Sequence, residues 1–446
     1  MQRERWRSRI GFIAATAGSA IGLGNIWRFP VVAARNGGGA FLLVYAAIVA
    51  FIGIPMLMAE LVLGKHSRTN AVSSFGRVSG NHPWALAGFF PLITSMVILS
   101  YYSVISGWVL FYLWSSISGM LLAGTMGFAG FFTAVQANGP LNLLLHGCFM
   151  VLTAIIVSRG VGRGIERANK VMMPAIAGLL LILVVRTLTL PGAMQGVNWL
   201  LRLDVTHLSF GVVLDALGQA FFSLSLGIGA IVTYGSYLQQ DADLIFGSST
   251  VAVSDSIIAL LAGLIVIPAL FAFRSELPVG PGLAFVSLPA VFLSMPLPRL
   301  WATSFFLALA FAALSSSVSM LEVSVAYTMD AGGWTRVRGT VACGAAAFVL
   351  GVPSAASSSW LARYSLFGRN FLEGVDFAAS NFLLPFTGLL TVLFVGWVWG
   401  GGKASREAID GNHPSMRAVW RILIKFLAPL VIGYVLVGGL LLRQLR

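Results

Sequence analysis

The chain has little charge: 10% of its 446 residues are Asp, Glu, Lys or Arg, against about 25% in a soluble domain. So few charges cannot cover a water-facing surface. Cysteine is equally sparse. Cys148 and Cys343 both lie inside apolar runs, which argues against a disulfide framework or a cysteine metal site. The five histidines are scattered without metal-ligand spacing. No apolar run combines a nucleophile with a base or a ligand cluster, so a membrane enzyme is not indicated. A channel would need a continuous polar lining, which is also missing.

What is abundant is apolar sequence, 58% of the chain. Stretches of roughly 20 residues, enough to cross a bilayer, fall near 11–35, 39–63, 85–117, 141–158, 166–188, 210–238, 247–273, 299–330, 336–353, 375–400 and 417–442. Backbone groups in lipid must be satisfied within the segment, and these runs are too long for barrel strands. The expectation is an all-α integral membrane protein with eleven transmembrane helices and no soluble domain.

The net charge of +13 invites a nucleic-acid reading, but its distribution argues for a lipid bilayer as the partner instead. With the N-terminus inside, 18 of the 28 Lys+Arg fall on the inner side and 10 on the outer, and all four lysines are inner. That asymmetry predicts a cytoplasmic N-terminus. Eleven crossings then place the C-terminus outside. Nothing in the composition speaks to oligomeric state.

Two spans are interrupted. The first reads Gly18-Ser19-Ala20-Ile21-Gly22-Leu23-Gly24-Asn25 and closes on Arg28-Phe29-Pro30; the sixth contains Ser223-Leu224-Ser225-Leu226-Gly227-Ile228-Gly229. Each glycine weakens a helix by about 1 kcal/mol relative to alanine. Breaks five spans apart, with polar residues inside both, are the mark of two inverted five-helix repeats, here 11–188 and 210–400, with 417–442 as an added helix. Glycine clusters also serve close helix packing, so either break alone has two readings.

The run Ala17-Gly18-Ser19-Ala20-Ile21-Gly22-Leu23-Gly24-Asn25-Ile26-Trp27-Arg28-Phe29-Pro30, with Asn36-Gly37-Gly38-Gly39-Ala40-Phe41, resembles the neurotransmitter:sodium symporter family. Gly218-Gln219-Ala220-Phe221-Phe222-Ser223-Leu224-Ser225-Leu226-Gly227 and Gly164-Ile165-Glu166-Arg167 resemble it too. The resemblance implies the leucine-transporter fold and a sodium-driven symporter of neutral amino acids with two sodium sites. One sodium site would use Ala20, Asn25 and Ser223 with a seventh-span group, Ser254 or Asp255. The other would use Gly18, Ile21, Ala312, Ser315 and Ser316.

By the same resemblance, Ser19, Ala20, Gly22, Gly24, Ile98, Tyr102, Phe222, Ser223, Ser225, Ile228, Ser316 and Met320 would line the substrate site, with Tyr102 offering its hydroxyl to a carboxylate. That lining has no partner for a charged side chain, so a neutral hydrophobic or aromatic amino acid is expected. An acid within an apolar span, Asp255, can supply the charge that chloride supplies elsewhere, which predicts chloride independence. Arg28, Asp376 and Gln219 correspond to an outer gate, and Arg3, Trp6, Tyr237 and Asp330 to an inner one. Gly164 and Pro174 match a fifth helix able to unwind. Glu60 is expected to bond the unwound backbone of the first span. Two rivals have features against them. A receptor without transport could do without the inner gate, and a proton-coupled carrier would put a cation or titratable group where Ser315 and Ser316 stand.

Overall fold

The computed structural model describes residues 4–80, 83–123, 126–273, 282–409, 411 and 413–441. Among them, nine helices are long and apolar enough to cross a bilayer: Gly39–Ser67, Pro83–Ser118, Gly139–Ser158, Val161–Leu188, Leu244–Phe273, Pro298–Gly332, Arg336–Ala355, Phe371–Val398 and Pro414–Val437. The first span is a bent pair, Arg9–Ala20 and Gly24–Arg35, whose halves meet at 54°. The sixth is Phe210–Ser223, then non-helical residues 224–229, then Ala230–Gly235. In chain order these occupy the eleven predicted positions.

Polar caps begin several of the helices. Ser8 accepts from Gly11 N–H, Asn138 from Leu141, Ser209 from Val212 and Thr335 from Arg338, each satisfying a donor the helix leaves open. Left-handed glycines end two of the spans, Gly119 (φ 82°) after the third and Gly333 (φ 64°) after the eighth. Of these nine helices the eighth and third are the most enclosed, 78% and 72% buried over their apolar windows, whereas the fourth, fifth and ninth are 33% and the eleventh 22%. They share the centre with the first and sixth spans, whose breaks are buried throughout. Exposed Leu43, Phe51, Val151, Leu181 and Val349 mark an outer surface suited to hydrocarbon rather than water.

The connections hold structure that periodicity did not announce. Gly127–Ala137, Ala193–Leu201 and Leu283–Leu293 are short helices, as are Ala71–Ser79 and Gly401–Ala408. Residues Ser365–Leu366 and Arg369–Asn370 pair as a small antiparallel hairpin through Phe367 and Gly368, both at positive φ. The fifth span opens with a π-turn at Val161–Ile165 and stays helical through Pro174.

Candidate functional site

The first break begins where Ile21 donates to Ala17 O at 2.7 Å and then turns out of the helix with ψ 103°. Gly22 and Gly24 are required here by crowding. A Cβ on Gly22 would stand 2.7 Å from Ser316 Oγ, and one on Gly24 would stand 2.6 Å from the Phe222 ring. In the sixth span, Ser225 (φ 53°), Gly227 and Gly229 (both φ 81°) take left-handed conformations that glycine adopts without strain. Their backbone groups need partners within the membrane. Gly227 N–H donates to Glu60 Oε1 at 2.8 Å, so Glu60 serves the sixth break and not, as its position in the sequence suggested, the first.

The two breaks are tied to each other. Ser225 Oγ donates to Ser19 O at 2.7 Å, and Gln219 Nε2 to Gly24 O at 3.3 Å. Between them lies a small cavity lined by Ser19, Ala20, Gly22, Leu23, Gly24, Asn25, Ile98, Tyr102, Phe222, Ser225, Ile228, Ser316 and Met320. No charged side chain is among them. Tyr102 OH accepts from Leu23 N–H at 3.2 Å, which leaves its own proton to donate into the cavity. The second half-helix of the first span starts here with its amide-rich, partially positive end, which suits a carboxylate. Leu23 joins the lining without a sequence signal, because its backbone rather than its side chain does the polar work. Ser223 stands just outside the lining.

Two oxygen clusters flank the cavity. In one, Asp255 is fully buried with Asn25 and Ser223. Asn25 Nδ2 donates to Asp255 Oδ1 (2.7 Å), Asp255 O (3.3 Å) and Ser223 Oγ (2.9 Å); Ser223 Oγ donates to Asp255 Oδ2 (2.7 Å), and Tyr45 OH reaches the same oxygen at 3.3 Å. Ala20 lines the cavity beside Asn25. Ser254 is only half-buried, and the helix turns Asp255 inward in its place.

In the other cluster, Ser315 Oγ lies 3.4 Å from Ile21 O and 2.9 Å from Ala312 O. Ser316 Oγ lies 3.4, 3.2 and 3.3 Å from Gly18 O, Ser19 O and Ile21 O. These carbonyls end the first half-helix, where its dipole is negative. Hydroxyl and carbonyl oxygens are hard ligands suited to an alkali cation, whereas no group of three or more His, Cys, Asp or Glu able to hold a metal occurs among the described residues.

The gate residues are placed less directly. Arg28 lies over the Phe222 ring at 4.8 Å, and Asp376 accepts Ser380 Oγ at 3.2 Å. Arg28 and Asp376 form no direct ion pair with each other. At the face carrying the N-terminus, Trp6 Nε1 donates to Tyr234 O (3.0 Å) and Trp6 N–H to Tyr237 O (3.3 Å). Asp330 accepts from the Asn70 backbone N–H (2.9 Å) and Nδ2 (3.0 Å). Arg3 lies outside the described residues.

A network that sequence reasoning missed binds this face together. Tyr237 OH donates to Glu322 Oε1 at 2.6 Å, Arg336 grips both Glu322 oxygens at 2.7 and 3.0 Å, and Arg336 Nε also reaches Glu4 Oε1 at 2.8 Å. Glu322 carried a usable signal, an acid in an apolar span. Arg336 had none, since it reads as an ordinary positive-inside residue. Asp215, also unassigned from sequence, accepts Asn36 Nδ2 at 3.1 Å.

Two facing helix breaks with oxygen clusters and an apolar, polar-ended cavity define a broken-helix membrane transporter. Comparison with known proteins makes this specific. The sequence pattern of the Sodium:neurotransmitter symporter family matches residues 3–128 and 125–444. The chain belongs to that family, and is a transporter rather than an enzyme. It is 38% identical over 431 residues to the uncharacterized sodium-dependent transporter YhdH of Bacillus subtilis, covering 96% of each chain. It is 33% identical over 451 residues to an uncharacterized sodium-dependent transporter of Haemophilus influenzae, covering 98% of each. The crystal structure of MhsT in complex with L-phenylalanine superposes with a TM-score of 0.91 at 43% identity, over 98% of this chain and 100% of that one.

Proposed function

We propose that the chain is a chloride-independent symporter that couples two sodium ions to uptake of a neutral hydrophobic or aromatic amino acid by alternating access. The observation that carries this reading is the sharing of residues between cavity and clusters. Asn25 lines the cavity and bonds Asp255, while Ser316 lines it and faces Gly18 O and Ile21 O. A ligand and a cation that order the same residue must favour each other's binding, and reciprocally. Asp255, rather than Ser254, is the proposed seventh-span ligand, and its carboxylate takes the place of an external anion.

Ile98, Phe222, Ile228 and Met320 supply an apolar niche without a counter-charge, which suits a neutral side chain. MhsT holding L-phenylalanine supports an aromatic or similarly apolar substrate. The N-terminal face is proposed as cytoplasmic, with Trp6, Tyr237 and Asp330 closing the inner path and Arg28, Gln219 and Asp376 the outer one. The two five-helix repeats would each contribute one broken helix to a bundle that rocks against the third, fourth, eighth and ninth spans.

The test is uptake of labelled phenylalanine, leucine, tryptophan and alanine into proteoliposomes, with sodium or choline outside and chloride or gluconate as anion. Uptake that depends on sodium and ignores chloride is expected. Equal uptake in choline would refute the coupling, and strong stimulation by chloride would refute the role of Asp255.

A further inference from the structure

Asn169, on the fifth span between its π-turn and Pro174, is fully buried, and its amide is only half used. Nδ2 donates to Ile165 O at 2.9 Å, whereas Oδ1 has no partner among the described residues. The bond to Ile165 O fixes which way the amide faces, since the reversed amide would set two acceptors against each other. Oδ1 is thereby directed at the first span. A Cβ on Gly18 would stand 2.1 Å from it. Gly18 is also the residue whose carbonyl faces Ser316 Oγ. An unpaired oxygen acceptor is costly inside a membrane, and a leucine of similar shape would avoid the cost. Its position beside the second oxygen cluster needs a reason.

The seam between the first and fifth spans supplies one. Toward the N-terminal face, the other glycine of this half-helix, Gly11, packs against Glu166. The Glu166 carboxylate is already occupied by Arg7 N–H (2.8 Å), Ser8 Oγ (2.9 Å) and Lys170 Nζ (2.6 Å). Asn169 Oδ1 is an uncommitted side-chain oxygen on the same seam as that occupied acid. Pro174 lacks the N–H that would hold Lys170 O, which loosens the turn that follows Asn169.

We propose that Asn169 Oδ1 is a relay ligand, meeting sodium as it leaves the Ser315/Ser316 cluster toward the N-terminal face. The proposal rests on reading that cluster as a sodium site. Such a group lowers the barrier to exchange without contributing to the resting site, so its loss slows entry and exit together.

The test uses the full-length protein, with radiosodium alone as probe, reading equilibrium affinity and dissociation rate separately. Asn169→Leu, with Asn169→Ala as a smaller alternative should leucine impair folding, is expected to change affinity by less than about twofold and slow dissociation about tenfold, the scale of one lost ionic contact. Asn169→Asp, which keeps an oxygen, should restore the rate. Unchanged dissociation in the leucine and alanine variants would overturn the proposal. So would an affinity loss as large as that of Ser316→Ala, because Asn169 would then belong to the resting site. If Ser316→Ala itself leaves affinity intact, it is the sodium-site reading that fails, whatever Asn169 does.

Discussion

The two oxygen clusters both draw on the first broken span, one through the Asn25 side chain and the other through its carbonyls, and they differ in how they are held. Around Asp255 a full carboxylate is bound by Asn25 and Ser223 at 2.7 Å, so the cluster carries its own negative charge. Around Ser315 and Ser316 every group is neutral, and the hydroxyls sit mostly 3.2–3.4 Å from the carbonyls they face. Those separations lie at or beyond the long end of good hydrogen bonds. The oxygens are gathered without being strongly bonded to one another. The first arrangement suits a cation held together with the substrate, and the second one that is readily released.

Charge removal should break this contrast most severely. Asp255→Asn keeps the shape but removes the anion from a buried site, a loss on the order of 3 kcal/mol or about a hundredfold in cation affinity. Transport in chloride-free proteoliposomes is expected to disappear; retention of wild-type rates would mean the carboxylate holds no cation. A smaller effect is expected at the neutral cluster. Ser315→Ala with Ser316→Ala removes two hydroxyl ligands at about 1 kcal/mol each, together roughly tenfold to thirtyfold in the sodium concentration for half-maximal substrate binding. An unchanged sodium titration would remove this cluster from the mechanism. The smallest effect should come from Ser254→Ala, below about twofold in the same titration because the side chain is half-buried and beside the site, not in it. A loss comparable to that of Asp255→Asn would reverse the assignment of the seventh-span ligand.

Much of this was legible in the chain itself. The breaks announce themselves because Gly22, Gly24, Gly227 and Gly229 interrupt sequence that is otherwise apolar and helix-compatible. The structure gathers Ser315 and Ser316 with Gly18, Ile21 and Ala312, as the resemblance implied. Other features were hidden. Glu4 and Arg336 are 332 residues apart, and no local pattern joins them. Arg28 and Asp376 have complementary charge, yet Arg28 lies over the Phe222 ring instead. The short helices between spans stayed invisible because they are too brief for hydropathy to separate from loops.

By itself, the sequence determined that the chain is helical, crosses a membrane repeatedly, and breaks its first and sixth helices. Each follows from a local requirement: backbone groups in lipid must pair within their own segment, and glycine in the middle of a span relaxes that pairing. Only the tertiary structure decided that Asp255 rather than Ser254 faces Asn25, that Glu60 serves the sixth break, and that Asn169 turns an unpaired oxygen toward Gly18. Those outcomes depend on the rotation of each helix about its axis. Packing against several neighbours sets that rotation, and a hydropathy pattern that reads only polar against apolar does not contain it.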